Sequence, residues 1–187
     1  KMDIERIGKG TKTKIKYYKE IDSTHIHAKE IQQDGDCVLI AEIQTNGIGT
    51  KGRIWHTGKE NNIAMTIIKH PECKVAELKG LTIQIAEKIQ EVIKELYGYN
   101  LEIRNPNDLM LNGKKISGIL TEVNTVSGHI NYLLISIGFN VNEEKFSDET
   151  KELATSLKAV YHKDFSREEI IKRFIEILEE NILELEK

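Results

Sequence analysis

Short apolar blocks fill the first two thirds of this chain, and two later segments switch to a helical period. Lys14 to Ile21, KIKYYKEI, partly alternates and is aromatic, which predicts a strand. Ser23 then stands where a hydroxyl caps a short helix, THIHAKEIQQ, which Gly35 helps to end. Cys37 to Ile43, CVLIAEI, is almost continuously apolar and too short for a buried helix, so a central strand is expected. Asn62 to Ile68 reads as the next strand. Between Val75 and Leu96, Leu78, Leu81, Ile85, Ile89, Val92 and Leu96 recur at three and four, one face of a long helix closed by Gly98.

LEIR, from Leu101, is a short strand. DLMLNGKKISGILTEV then folds back on Asn112-Gly113, the dipeptide preferred by tight two-residue turns. HINYLLISIGFNV continues the sheet after a Ser127-Gly128 turn. The tail opens with Ser166 and Glu169 spaced as a capping box and carries Ile171, Phe174, Leu178, Ile182 and Leu185 as a helical stripe. Sequential hairpins with inserted helices predict an α+β fold, a mixed but largely antiparallel central sheet flanked by helices. Residues 1–13 are charged and glycine-containing and read as a linker-like segment that packs late. Residues 14–187 form a single domain.

Composition narrows this only a little. With 187 residues, 39% hydrophobic and 30% charged, the chain belongs with ordinary globular proteins. A net charge of −3 gives no basic field for nucleic acid, so anion binding has to come from a local cluster. Cys37 and Cys73 lack metal-ligand spacing and read as reduced thiols of a cytoplasmic protein. No apolar run is long enough to cross a membrane.

Four segments carry candidate chemistry. QTNGIGTKGRIWHTGK, from Gln44, follows a strand and places Gly47, Gly49, Gly52 and Gly58 among Lys51, Arg53 and Lys59, ahead of Trp55. Glycines there let backbone amides approach an anion, and Trp55 offers a flat surface for a ring. It is neither a P-loop nor a dinucleotide fingerprint, and a mobile exposed loop is the competing reading. In RNPNDLMLNGKKISGIL, Pro106 is expected to hold Asn105 extended. Asp108 offers a carboxylate able to hold Mg²⁺ on a nucleotide, and one of Lys114 and Lys115 should point inward and need an anionic partner. In ISIGFNVN, Gly138 is expected to break the strand, with Asn140 and Asn142 capping a turn or reading a purine edge. In DSTH, Ser23 and Thr24 read as helix-capping residues.

Taken in order, EIDSTH, AEIQTNGIGTKGRIW, NPNDLMLNGKKISGIL and ISIGFNVN resemble the catalytic domain of biotin protein ligases, from about Tyr17 to Asn142. The family patterns are D-S-T-N, Q-x-x-G-R-G-R-x-G-R-x-W, K-W-P-N-D, G-x-K-x-x-G-I-L-x-E and I-G-I-G-x-N-V-N. The resemblance implies an enzyme that joins biotin to ATP, with Mg²⁺, as biotinyl-5′-adenylate and passes biotin to a lysine of a carboxylase's biotin carboxyl carrier domain. It implies that Ser23, Thr24, Gln44, Gly47, Ile48, Gly49, Lys115 and Gly118 bind biotin. Lys51, Arg53, Trp55, Asn107, Asp108 and Asn140 fall on the nucleotide side, with Asp108 near the metal. Lys115, Arg53 and Arg104 are the expected catalytic cations.

Departures qualify the match. Ile48 and Thr50 replace two arginines, which predicts a looser hold on the adenylate. Arg104-Asn105 replaces Lys-Trp, and His25 stands where asparagine is usual. No helix-turn-helix is seen before Lys14, and no C-terminal β-barrel. A homodimer through sheet edges is in keeping with the family. A biotin- or adenylate-binding sensor, the fragment of a repressor with little turnover, is the alternative reading, and a lipoate ligase a third.

Overall fold

A computed structural model describes residues 1–55 and 59–181. Helix α1 (Ile4–Gly8) leads into β1 (Ile15–Ile21), α2 (Thr24–Ile31), β2 (Cys37–Gln44) and β3 (Ile63–Lys69). After α3 (Leu81–Tyr97) come β4 (Glu102–Arg104), β5 (Asp108–Leu111), β6 (Lys114–Val126) and β7 (His129–Phe139). Helices α4 (Leu157–Tyr161) and α5 (Arg167–Asn181) follow. The strands form one seven-stranded sheet in the order β1-β2-β3-β7-β6-β5-β4. Only β1 and β2 are parallel, because α2 carries the chain back across the sheet between them; the other pairs are antiparallel.

Strand alternation divides the apolar residues between two unequal layers. On one face Val38, Ile40, Met65, Ile67, Ile135 and Ile137 meet Ile85, Ile89 and Val92 of α3 and Ile171, Phe174 and Leu178 of α5. This is the main core. On the other face Cys37, Leu39, Ile68 and Leu134 pack on Ala28 of the short α2, with Tyr18, Ile31 and Tyr132 partly buried around them. Beyond α2 that face is nearly bare. Ala41, Ala64, Gly138, Gly118 and Asp108 are successive register partners from β2 to β5, so a trough of small residues crosses the sheet and ends at a carboxylate.

Several expectations need correction. The opening segment is no loose linker: Asp3 caps α1, and Met2 and Ile7 are buried in the main core. The helix expected from Val75 is interrupted, since Val75–Leu78 is a separate 3₁₀ turn and Gly80, at φ 79°, separates it from α3. Gly138 does not break β7 but pairs within it on both sides. Asn105 is left-handed, φ 51°, because the tight β4–β5 connection demands it, overriding the push from Pro106. Helix α4, capped by Ser156, is too short to have shown a period. The Ser166 hydroxyl accepts the Glu169 amide as the capping spacing implied. Ile182 and Leu185 of the stripe, like Gly58, lie outside the described residues.

One buried ion pair ties three parts of the chain together. Arg167, at the start of α5, donates through Nη1 to Glu42 Oε2 at 2.6 Å, and Glu42 Oε1 accepts from the Met2 amide and the Tyr17 hydroxyl. Burial pushes the Glu42 carboxyl up, but Arg167 and these donors outweigh it and hold the carboxyl below its ordinary value. Its stabilisation is therefore full above the unfolded carboxylate range and is lost as pH falls through the folded value. Arg167→Leu should cost about 3–5 kcal/mol near neutrality, as for other broken buried pairs. Thermal melts across an acid titration should show the gap to wild type narrowing as Glu42 protonates; a constant gap would count against the pairing.

Candidate active site

The bare trough fills from its edges. At the β5 end, the register slips between Leu109 and Met110, so that Ile116 of β6 is an extra residue in the ladder. A bulge of this kind re-aims the side chains on either side of it. Ile116 turns into the main core, 0% exposed, and Lys115 swings onto the trough face beside Gly118. Lys115 Nζ sits 2.8 Å from Asp108 Oδ1, the anionic partner that an inward lysine requires. Backbone bonds hold Lys115 from the far side: its N–H donates to Leu153 O, and its carbonyl accepts from Thr155 N. Lys114 stays at the surface and caps the Lys151 carbonyl.

The glycine-rich segment is an ordered miniature hairpin. Trp55 N donates to Gly47 O, Gly49 N donates to Arg53 O, and Ile48 bridges to Ile54. The Gly49 amide is thus engaged inside the loop rather than offered to an anion. The hairpin lays Trp55 along the trough. A Cβ on Gly138 would overlap the indole, and one on Gly118 would crowd it at 3.1 Å. Gly47 is pinned in the same way between the Trp55 carbonyl and the Gln44 amide. Lys115 Nζ stands 5.4 Å from the ring centroid, within cation–π range. The buried indole N–H finds no hydrogen-bond partner among the described residues.

Hydroxyls line the trough's other end. Ser23 caps α2 through the Ile26 amide, and Thr24 donates both its backbone N–H and its hydroxyl to Gln44 Oε1. Thr66 of β3 and Ser136 of β7 continue the chain of contacts to His25. Past His25 lies Glu122, which also takes Lys29. Burial pushes the His25 imidazolium below its ordinary value, opposed by Glu122 and reinforced by Lys29. Burial raises the Glu122 carboxyl, and Lys29 and His25 more than reverse it.

Between these walls lies a small cavity, bounded by Ser23, Thr24, Gln44, Ile48, Gly49, Trp55, Asp108, Lys115 and Gly118. A second, larger and more open cavity adjoins it, walled by Asn62, Asn140, Glu143, Lys145, Phe146 and Leu153. Trp55 and Lys115 belong to both. The remaining expected residues fall elsewhere. Lys51 and Arg53 are exposed near the hairpin tip and line neither cavity. Arg104 pairs with Glu102 on the edge strand, outside both walls, although it is Asp108's register partner. Asn107 holds the Ile119 amide with its carbonyl and lines neither cavity. Asn140 lines the larger cavity but clamps the Thr155 carbonyl, and Asn142 clamps Phe165. Sequence reasoning overlooked Thr66 and Ser136, whose polar character inside apolar strands was the available signal. It also overlooked Lys145 and did not assign Lys59, which line the larger cavity.

Residues 10–142 match the model of the biotin/lipoate A/B protein ligase family. The chain belongs to that family. Over 94% of its length it is 31% identical to a bifunctional ligase/repressor BirA of Bacillus subtilis, of which the match covers 57%. A biotin–[acetyl-CoA-carboxylase] ligase of Paracoccus denitrificans is 28% identical over 64% of the chain and 51% of its own length. The solved biotin protein ligase of Aquifex aeolicus, in complex with biotin and ATP, superposes with a TM-score of 0.72. That structure is 26% identical, and the superposition covers 89% of this chain and 71% of the other. The chain thus spans little more than half the length of these curated relatives. Among the described residues no helix is long and apolar enough to cross a membrane.

Within this family fold, the paired bare Cα atoms of Gly118 and Gly138 are what admit the indole to the sheet. Gly138→Ala should expel it, with a red-shifted tryptophan emission and easier quenching by acrylamide, while the melting temperature falls only modestly. Because Trp55 is the sole tryptophan, the spectrum reports this contact alone. Unchanged emission would place the indole elsewhere.

Proposed function

We propose that this chain activates biotin with ATP, forming biotinyl-5′-adenylate and releasing pyrophosphate, and then transfers biotin to a lysine of a biotin carboxyl carrier domain. The observation that carries this reading is the position of Lys115, an ammonium in the shared wall of a small, partly apolar cavity and a larger one. Attack of a carboxylate on an α-phosphate brings two anions together at such a junction. A fixed cation there offsets their repulsion and holds them in line. In the ligand-free arrangement Asp108 holds the ammonium at the junction, ready to exchange its carboxylate for those of the reactants.

The smaller cavity suits a compact bicyclic ring with an acyl tail. Thr24, Ser23 and Gln44 supply polar groups at one end, Ile48, Ala64 and Trp55 the apolar walls, and Lys115 the charge at the other. The nucleotide then lies in the larger cavity, where Lys59 and Lys145 face its phosphates. The unpartnered indole N–H at the boundary fits an acceptor oxygen of the ligand. Among the described residues no three metal-binding side chains converge. A Mg²⁺ ion held by Asp108 would take its remaining ligands from phosphates and water. Such an ion, arriving with ATP, would add positive charge where the phosphates crowd. In the transfer step the acceptor amine attacks the acyl carbon, AMP leaves, and the amine gives up its proton.

Lys115→Met should lower biotin-dependent pyrophosphate release by about 10²–10³-fold, the usual cost of losing one transition-state charge contact. Biotin affinity by calorimetry should change far less. Equal losses in both would assign Lys115 to ground-state binding. Wild-type protein that binds biotin without releasing pyrophosphate would favour the sensor reading, for which the exposed positions of Lys51, Arg53 and Arg104 argue.

The hairpin also bears on retention of the adenylate. Ile48 and Thr50 line the small cavity without charge. Replacing both with arginine should slow adenylate dissociation and reduce labelling of bystander lysines. Release as fast as wild type would show that other contacts govern it.

A further inference from the structure

A buried histidine on α2 and a serine in the apolar strand β7 touch each other: His25 Nδ1 lies 2.6 Å from Ser136 Oγ. Contacts continue from Ser136 to Thr66 Oγ1 at 2.7 Å, to Thr24 Oγ1 at 2.9 Å and to Gln44 Oε1 at 3.1 Å. On the other side of the ring, Nε2 stands 3.3 Å from Glu122 Oε1.

The direction of these bonds is settled at the glutamine. Thr24's backbone N–H, which can only donate, also meets Gln44 Oε1, so that atom is the carbonyl oxygen and accepts. The Thr24 hydroxyl therefore gives its one hydrogen to Gln44, and Thr66 gives its hydrogen to Thr24. For every link to be made at once, Ser136 must donate to Thr66 and His25 Nδ1 to Ser136. Five contacts link the groups. Three hydroxyl hydrogens and the single N–H of a neutral ring make four. With Nδ1 protonated, a neutral ring turns the Nε2 lone pair towards a carboxylate. An imidazolium supplies the missing fifth.

We infer that His25 is a positioning residue for the ring-binding end of the small cavity: on taking up a proton it completes the relay, turns every hydroxyl towards Gln44, and leaves Thr24 and Ser136 facing the cavity as acceptors. Lone pairs there complement a heterocycle that presents N–H donors, as the ureido ring of biotin does, so the ligand side of this inference rests on the function proposed above. Without the proton one link is empty, the hydroxyls can turn either way, and a ligand has to order them as it binds. The charged groups that act on the ring are Glu122 of β6 and Lys29 of α2. From β3 and β7 come the neutral hydroxyls of Thr66 and Ser136, and from β2 apolar Leu39 and the Gln44 amide. Burial opposes the charge, which places the uptake within reach of a ligand's influence rather than leaving the ring always charged.

Biotin binding to the full chain, followed by calorimetry between about pH 6 and pH 8 in buffers of differing ionisation enthalpy, tests this in the window where imidazole changes charge. The expected result is net proton uptake and an affinity about three- to tenfold weaker at the alkaline end, equivalent to half to one pKa unit. His25→Asn and Ser136→Ala should each abolish both effects. The serine variant decides the matter, because it keeps the imidazole and cuts only the relay. Persistent pH dependence in Ser136→Ala, or none in wild type, overturns the inference. Nitrogen-15 NMR of the ligand-free protein supplies a reading that needs neither biotin nor a variant. Because a carboxylate only accepts, the neutral ring should carry its proton on Nε2 towards Glu122 and gain one on Nδ1 as it becomes charged; a neutral Nδ1–H ring, with the hydroxyls already ordered, overturns the inference. Failure to bind biotin in a protein whose His25 shows the Nε2–H tautomer and gains Nδ1–H on protonation would instead sink the ligase reading and leave the relay standing.

Discussion

Two glycines facing each other across β6 and β7 set the terms for this molecule. Gly118 and Gly138 remove the Cβ atoms that would otherwise hold any planar ring off the sheet. The indole of Trp55 takes that space, and with it the whole hairpin from Gly47 is brought down over the trough. The same absence of side chains lets the Lys115 stem lie against Gly118 and carry its ammonium over the indole. The site is thus built by subtraction, and the side chains that matter enter from the rim: Ser23 and Thr24 from α2, Trp55 from the hairpin, Lys115 from the bulge.

This layout separates stability from function. The sheet face that packs on α3 and α5 carries nearly all the large buried apolar residues, and the opposite face carries one short helix and the small cavity. Glu42 and Arg167 reinforce the division, since their ion pair joins the sheet to the start of α5 and to residues before α1, none of which borders the cavity. A face relieved of core duty can tolerate glycine, buried hydroxyls and an ammonium, each of which would weaken an ordinary core.

Much of the architecture was legible in the residues. The Asn112-Gly113 and Ser127-Gly128 turns take the positive φ values that their dipeptides promised, and alternation assigned the strands. An inward lysine at 114 or 115 was foreseen from alternation, but the bulge that makes it Lys115 was not, because period-two reasoning has no place for an extra residue at Ile116. Gly138 was misread for a related reason: a glycine in a strand looks like a weakness until the object occupying its missing side chain is known. Lys51, Arg53 and Arg104 are exposed in the structure, and sequence cannot tell a cation that lines a cavity from one that stays in water. Met2 and Ile7 were hidden among charged neighbours, and only the contact with α5 and β1 shows why they are buried.

The pairing of Lys115 with Asp108 also bears on how an empty site of this kind stays intact. A half-buried ammonium beside an aromatic ring and a glycine needs an anionic partner, and Asp108 is that partner. On the function proposed above, the exchange of its carboxylate for those of the reactants requires no new desolvation of the ammonium. Preorganisation of that sort favours the transition state over the free reactants, since the cation is already oriented when charge develops.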